Sequence, residues 1–115
     1  MGFLAWLFGP QITKITIQEA HQRLQDAQPP LLLDVRQPVE VAATAVPGAI
    51  NIPLTELSRR MAELPPDQPI LTICRSAHRS PIAARRLAKA GFDVTDVAGG
   101  VTAWEKAGLP ISRGG

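Results

Sequence analysis

The chain has a single cysteine, Cys74, no tyrosine, and only 4% aromatic residues. One cysteine excludes an intramolecular disulfide framework and every cysteine-rich zinc site. With only His21 and His78 beside it, and no carboxylate cluster in the sequence, no metal centre and no cofactor are expected. The scarcity of aromatics removes the stacking platforms that single-stranded nucleic acid needs. Charge of one sign is lacking too: Lys and Arg exceed Asp and Glu by only two, too small an excess to point to nucleic acid. Long apolar runs are absent. Phe3-Leu4-Ala5-Trp6-Leu7-Phe8 is far shorter than a membrane span. No Lys or Arg precedes it and no small-residue cleavage site follows, so it matches a secretory signal poorly. Trp6 stands where an N-myristoylation motif requires Ser or Thr. Gly9-Pro10 breaks the run, so residues 1–10 read as an apolar arm in which Phe3, Leu4, Trp6, Leu7 and Phe8 make weak contact with a membrane interface or a protein. Residues 11–115 then form one domain.

What is present suits that domain. The 115 residues are 45% hydrophobic and 19% charged, which is the composition of an ordinary soluble globule with a core of its own. A lone thiol fits a reducing compartment, and a cytoplasmic location is expected.

Helical and strand-like segments alternate after Pro10. Thr16-Ile17-Gln18-Glu19 is a capping box opening a helix that runs to about Gln25. Leu31 to Val35 is a continuous apolar run bounded by turn formers, as in a strand buried on both faces. Pro38 to Ala43 reads as a short helix, Val46-Pro47-Gly48 as a turn, and Ala49 to Ile52 as a short strand. A helix starts after Thr55 and reaches Leu64, where the Pro65–Pro69 stretch stops it. Ile70 to Ile73 is the clearest strand and delivers Cys74 at its C-terminal end. Ser80-Pro81 opens a helix, with Ser80 expected as N-cap, and with Ile82, Ala83, Leu87 and Ala90 on its apolar side up to Gly91. Phe92 to Val97 is a strand, Gly99-Gly100 a tight turn, and Val101 to Ala107 a last helix closed by Gly108. Such alternation predicts an α/β fold with a parallel sheet covered on both faces.

In open α/β sheets, ligands bind beyond the carboxyl ends of the strands. Cys74 lies at such an end, and Arg75-Ser76-Ala77-His78-Arg79-Ser80 connects it directly to a helix N-terminus. A loop curled around the thiol aims successive backbone N–H groups at it, and the helix dipole adds partial positive charge. Arg75 and Arg79 add full charges, and no acidic residue lies between Cys74 and Lys89. These features favour the thiolate, which is the nucleophilic form, and they equip the loop to receive an anion.

The segment Cys74-Arg75-Ser76-Ala77-His78-Arg79-Ser80 resembles the active-site loop of the rhodanese (sulfurtransferase) family. Leu33-Asp34-Val35-Arg36, Pro47-Gly48-Ala49-Ile50-Asn51-Ile52-Pro53, and Gly99-Gly100-Val101-Thr102-Ala103-Trp104 with Ala107-Gly108-Leu109-Pro110 agree with the same family in order and spacing. The resemblance implies a three-layer α/β/α sandwich around a five-stranded parallel sheet. It implies that Cys74 takes sulfane sulfur from an anionic donor such as thiosulfate as a persulfide. The sulfur then passes to a thiophilic acceptor: cyanide, a thiol or a protein. The backbone of Arg75 to Ser80 would cradle the terminal sulfur, Arg75 would meet the donor, and Arg79 would close the loop.

The sequence also departs from that pattern. Ala77 occupies a usual glycine position, so its backbone must avoid positive φ or carry strain. Thr44-Ala45-Val46 replaces Gly-His-Ile, and Val41 replaces an aromatic. Asp34 reads as holding the first strand-to-loop turn or pairing with an arginine, while Arg36 and Glu40 read as an ion pair. His78 reads as an exposed loop residue, His21 as solvated, Trp104 as a core anchor, and Arg85, Arg86 and Lys89 as a solvated helix face. Two other functions remain: a persulfide carrier in a protein sulfur relay, and a cysteine-dependent phosphatase or arsenate reductase. The latter sites separate Cys and Arg by five residues, whereas four separate Cys74 from Arg79.

Overall fold

The computed structural model describes residues 11–114. The expected apolar arm, with Phe3, Leu4, Trp6, Leu7 and Phe8, lies outside the described residues. Five parallel strands form the sheet in the order β1-β6-β5-β2-β4. They are β1 (Thr13–Ile15), β2 (Leu31–Asp34), β4 (Ile50–Asn51), β5 (Ile70–Ile73) and β6 (Val94–Val97). A two-stranded antiparallel ribbon, β3 (Thr44–Ala45) with β7 (Ser112–Arg113), stands apart. The helices are α1 (Ile17–Arg23), α2 (Pro38–Ala43), α3 (Leu54–Arg60, extended by a 3-10 turn over Met61–Glu63), α4 (Ser80–Lys89) and α5 (Gly100–Lys106).

Strand side chains alternate between two cores. One face carries Leu32, Leu71, Ile73 and Val97 against Ile17 and Ala20 of α1 and Val101 and Trp104 of α5. The other carries Leu31, Leu33, Ile70 and Cys74 against Leu57 of α3 and Ala83 and Leu87 of α4. The arrangement is the α/β/α sandwich, and right-handed crossovers account for it. The connections β4 to β5 and β5 to β6 run in one direction along the sheet and put α3 and α4 on one side. The β1 to β2 connection runs the other way and puts α1 on the opposite side. The chain leaves β2 toward β4 and leaves β5 toward β6, so neighbouring β2 and β5 flank the point where winding reverses. That point is where a ligand crevice opens in such sheets.

Local chemistry sets the element ends. Thr16 caps α1 through a capping box in which its hydroxyl accepts from the Glu19 N–H. Strand β1 has no counterpart in the sequence reading, because two of its three residues are exposed and its periodicity is too short to detect. Ile82 is 41% exposed, not on the apolar side of α4 as expected, and His21 is half-buried with its ring edge-on to Trp104 at 5.5 Å. Ser80, Ala83, Ala84 and Leu87 form the buried side of α4, and the helical repeat sets Ile82 on the opposite side with Arg86 and Lys89. His21 is covered because α1 packs beside α5.

Candidate active site

Cys74 follows the last residue of the central strand β5 and is 1% exposed. The loop after it runs straight into α4, whose ten residues supply a helix N-terminus at the sulfur. Burial opposes charging the thiol. The pKa is nonetheless held below its ordinary value by the Ser80 hydroxyl and by the backbone N–H groups of Ser80, Arg79 and Ala77. The arrangement is a donor-lined pocket around one sulfur, suited to a thiolate and to the further negative charge of a second sulfur attached to it.

The last helix holds this loop open to the sulfur. Val101 N–H donates to the Cys74 carbonyl and Thr102 N–H to the Arg75 carbonyl, each at 2.9 Å. With these carbonyls turned outward to α5, the loop's N–H groups are free to face inward. Gly100 makes the approach feasible: a Cβ there would stand 2.5 Å from the Cys74 and Arg75 carbonyl oxygens. The sequence reading saw Gly99-Gly100 only as a turn. Nothing local marks Gly100 as a partner of a loop 25 residues earlier.

Ala77 has φ 140°, the one positive φ outside glycine among the described residues. Of the two options open to it, strain is the one realised, at a typical cost of about 1–3 kcal/mol. Its N–H is one of those aimed at the sulfur, so the strained residue contributes directly to the cradle.

The other loop residues divide by exposure. Arg75, Ser76 and His78 are exposed, whereas Ser80 is fully buried. Ser80 is not the N-cap. Arg79 occupies that position with helical dihedrals, and Ser80 is the first residue of α4 with its hydroxyl turned inward. Arg79 reaches Glu40 instead of the sulfur, with Nη1 at 2.6 Å and Nη2 at 2.9 Å from the two carboxylate oxygens. The Arg79 hydrogen bonds hold the Glu40 carboxyl at about 2, against the opposing effect of burial, with help from the Gln37 N–H.

This contact corrects the expected Arg36–Glu40 ion pair. Arg36 pairs with Asp34 at 2.7 Å, both buried, and touches Glu40 only through its backbone carbonyl. Two residues of extended chain bring the Arg36 guanidinium back onto Asp34, whereas the capping box of α2 turns the Glu40 carboxylate toward the Gln37 N–H and Arg79. Arg36 also donates to the Thr44 carbonyl at 2.7 Å, and Asn51 donates to the Asp34 and Arg36 carbonyls. Asp34, Arg36 and Glu40 thus brace the crevice wall without touching the sulfur.

Beside the loop opens a cleft of about 590 Å³ whose wall includes Arg36, Glu40, Thr44, Arg75, Thr102 and Lys106. Arg75 is exposed there, and no hydrogen bond or salt bridge engages its guanidinium among the described residues. Among those residues, no three His, Cys, Asp or Glu side chains converge as metal ligands, and no helix is long and apolar enough to cross a membrane.

Comparison with known proteins agrees with this geometry. The family model for the rhodanese-like domain matches residues 16–107. A sulfurtransferase of Allochromatium vinosum is 37% identical over 101 residues, which cover 87% of this chain and 94% of that protein. The crystal structure of a rhodanese-related protein from Thermoplasma volcanium superposes with a TM-score of 0.82 at 29% identity, covering 87% of this chain and 97% of that one. A thiosulfate sulfurtransferase from Pseudomonas aeruginosa superposes at 0.79 with 31% identity, over 90% of this chain and 21% of that one.

Proposed function

The chain belongs to the rhodanese-like domain family, and from that membership we propose that it transfers sulfane sulfur through a persulfide on Cys74, with thiosulfate as a donor. The thiolate attacks the outer sulfur of thiosulfate. A sulfur–sulfur bond forms to Cys74, the bond to the sulfonate sulfur breaks, and its electron pair leaves with sulfite. A thiophilic acceptor such as cyanide then attacks the terminal sulfur, leaves as thiocyanate and returns the thiolate. Arg75, exposed on the cleft, meets the anionic donor. The observation that carries the reading is the convergence of the Ala77, Arg79 and Ser80 N–H groups on one buried sulfur. They favour the nucleophilic thiolate before attack and the negative terminal sulfur after it. Cys74 is the chain's only thiol, so the persulfide discharges directly onto an external acceptor.

The engagement of Arg79 with Glu40 disfavours the phosphatase alternative, which needs its arginine facing a tetrahedral oxyanion. Mass spectrometry after thiosulfate treatment is expected to show the protein heavier by one sulfur atom, removable by cyanide. Cys74→Ser is expected to lose thiocyanate formation by on the order of 10³-fold or more, as removal of a nucleophile does. Thiocyanate production by that variant at the wild-type rate would overturn the reading, as would appreciable turnover of an aryl phosphate. Loading from a protein persulfide but not from thiosulfate would instead identify a relay carrier.

A further inference from the structure

Asp96 has no part in the chemistry above and was not singled out from the sequence. It is fully buried on β6, within the sheet, and a charge there needs an explanation. Thr72 and Asp96 sit directly opposite each other in the β5–β6 register, and the Thr72 hydroxyl donates to Asp96 Oδ1 at 2.9 Å. Thr72 on β5 and Cys74 just past its end are two residues apart, so both side chains face the layer that α4 covers. The first residue of α4, Ser80, is fully buried over them. Ser80 Oγ and Asp96 Oδ2 are both shut off from solvent with no hydrogen bond of strict geometry. The Ser80 hydroxyl nevertheless lies close enough to influence both the Cys74 sulfur and the Asp96 carboxyl. Two unpartnered buried polar atoms on side chains this close to one another are unusual, since buried polar groups are nearly always paired.

We propose that Asp96 is a positioning residue for Cys74: its Oδ2–H donates to Ser80 Oγ and so directs the Ser80 hydroxyl proton onto the sulfur. With Oδ1 already accepting from Thr72, Oδ2 is the atom left to carry the proton. An ionised Asp96 would instead accept the Ser80 proton and take it from the thiolate. Burial drives Asp96 toward its neutral acid, against the smaller opposing effects of Ser80, Thr72, Lys14 of β1 and Arg85 of α4. Toward Cys74 the nearby cation is Arg79, and Asp34 of β2 is closed off by Arg36. No proton is transferred. The chain of two hydrogen bonds only orients a donor.

The inference rests on the sulfur-transfer reading in taking Cys74 as the nucleophile, but its test needs no sulfur donor, so the two fail separately. The pH dependence of Cys74 alkylation by iodoacetamide reports the thiol pKa in the folded chain. Ser80→Ala is expected to raise that pKa by roughly one unit, the loss of one hydrogen bond to a charged group. Asp96→Ala is expected to raise it by about half as much, and Asp96→Asn to restore it, because the amide N–H donates where Oδ2–H did. A wild-type titration for Asp96→Ala, or an Asp96→Asn titration displaced as far as that of Asp96→Ala, would overturn the proposal. Infrared spectroscopy of the unmodified chain at neutral pH gives a second readout independent of whether Asp96→Ala folds. A protonated-carboxyl stretch is expected, displaced in Ser80→Ala and missing in Asp96→Asn. Its absence from the wild type would equally overturn the assignment.

Discussion

Strands β2 and β5 lie side by side and stop at the same edge of the sheet, yet their ends are opposite in hydrogen-bonding state. At the end of β2 every polar group is answered. The Asp34 carboxylate takes the Arg36 backbone N–H at 3.0 Å and its guanidinium at 2.7–3.0 Å, and Asn51 closes the neighbouring carbonyls. At the end of β5 donors outnumber acceptors: three backbone N–H groups and a hydroxyl surround one sulfur. A saturated cluster fixes the chain path and has nothing left to offer a ligand. An unsaturated one is held open by neighbouring structure and stabilises charge that arrives. The adjacent ends of one sheet thus differ: one braces the chain path, and the other leaves donors gathered around a thiol.

The division can be broken at either end. The largest effect on stability is expected at the saturated end: Arg36→Ala leaves Asp34 buried without its cation and should cost about 3–5 kcal/mol. Urea unfolding would measure that loss, and the folded fraction should still alkylate Cys74 at close to the wild-type rate. A large fall in alkylation with little loss of stability would mean the two ends are not separate.

Gly100→Ala tests how the open end is held. Its Cβ would meet the Cys74 and Arg75 carbonyls, and its φ of +66° disfavours a side chain. A loss of about 1–3 kcal/mol is expected, together with a raised Cys74 pKa as the loop's N–H groups turn away. Thermal unfolding and the alkylation profile measure the two effects, and one without the other would separate loop position from thiol activation.

The smallest effect is expected at the bridge between the ends, where Glu40 of α2 holds Arg79. Glu40 is ionised down to about pH 2 in the fold but has an ordinary value of 4.5. Its contribution is therefore complete above about pH 5 and lost as pH falls through the folded value. Both side chains remain partly solvated, so Glu40→Gln should cost only about 0.5–1 kcal/mol at neutral pH. The difference from wild type should vanish near pH 2 in acid unfolding curves.

Much of the site was legible along the chain because it is contiguous. Cys74 to Ser80 spans a strand end, a loop and a helix start, and the thiolate-favouring logic needs only those neighbours. Capping at Thr16 was legible for the same reason. What escaped notice joins distant segments. The Glu40–Arg79 pair crosses 39 positions and Thr72–Asp96 crosses 24. Arg36 and Glu40 read as a pair because they share one turn of the chain, whereas the partner of Glu40 arrives from the loop that leads into α4. Ser80 looked like a cap because Ser-Pro commonly begins a helix, but the helix starts one residue earlier than a Ser80 cap requires, and so the hydroxyl turns inward. Ile82 is a different case, because the helical repeat itself sets it opposite Ala83, Ala84 and Leu87.

The sequence by itself determined the alternation of strands and helices and the placing of a lone thiol at a strand end before a helix. Those follow from local periodicity, capping and turn chemistry. Only the tertiary structure decided which donors reach the sulfur, which arginine is engaged elsewhere, and that a buried carboxyl lies near Cys74. Those depend on strand order and on how closely α4 and α5 approach β5. They are contacts between segments brought together by burying two apolar faces, and local sequence carries no record of them.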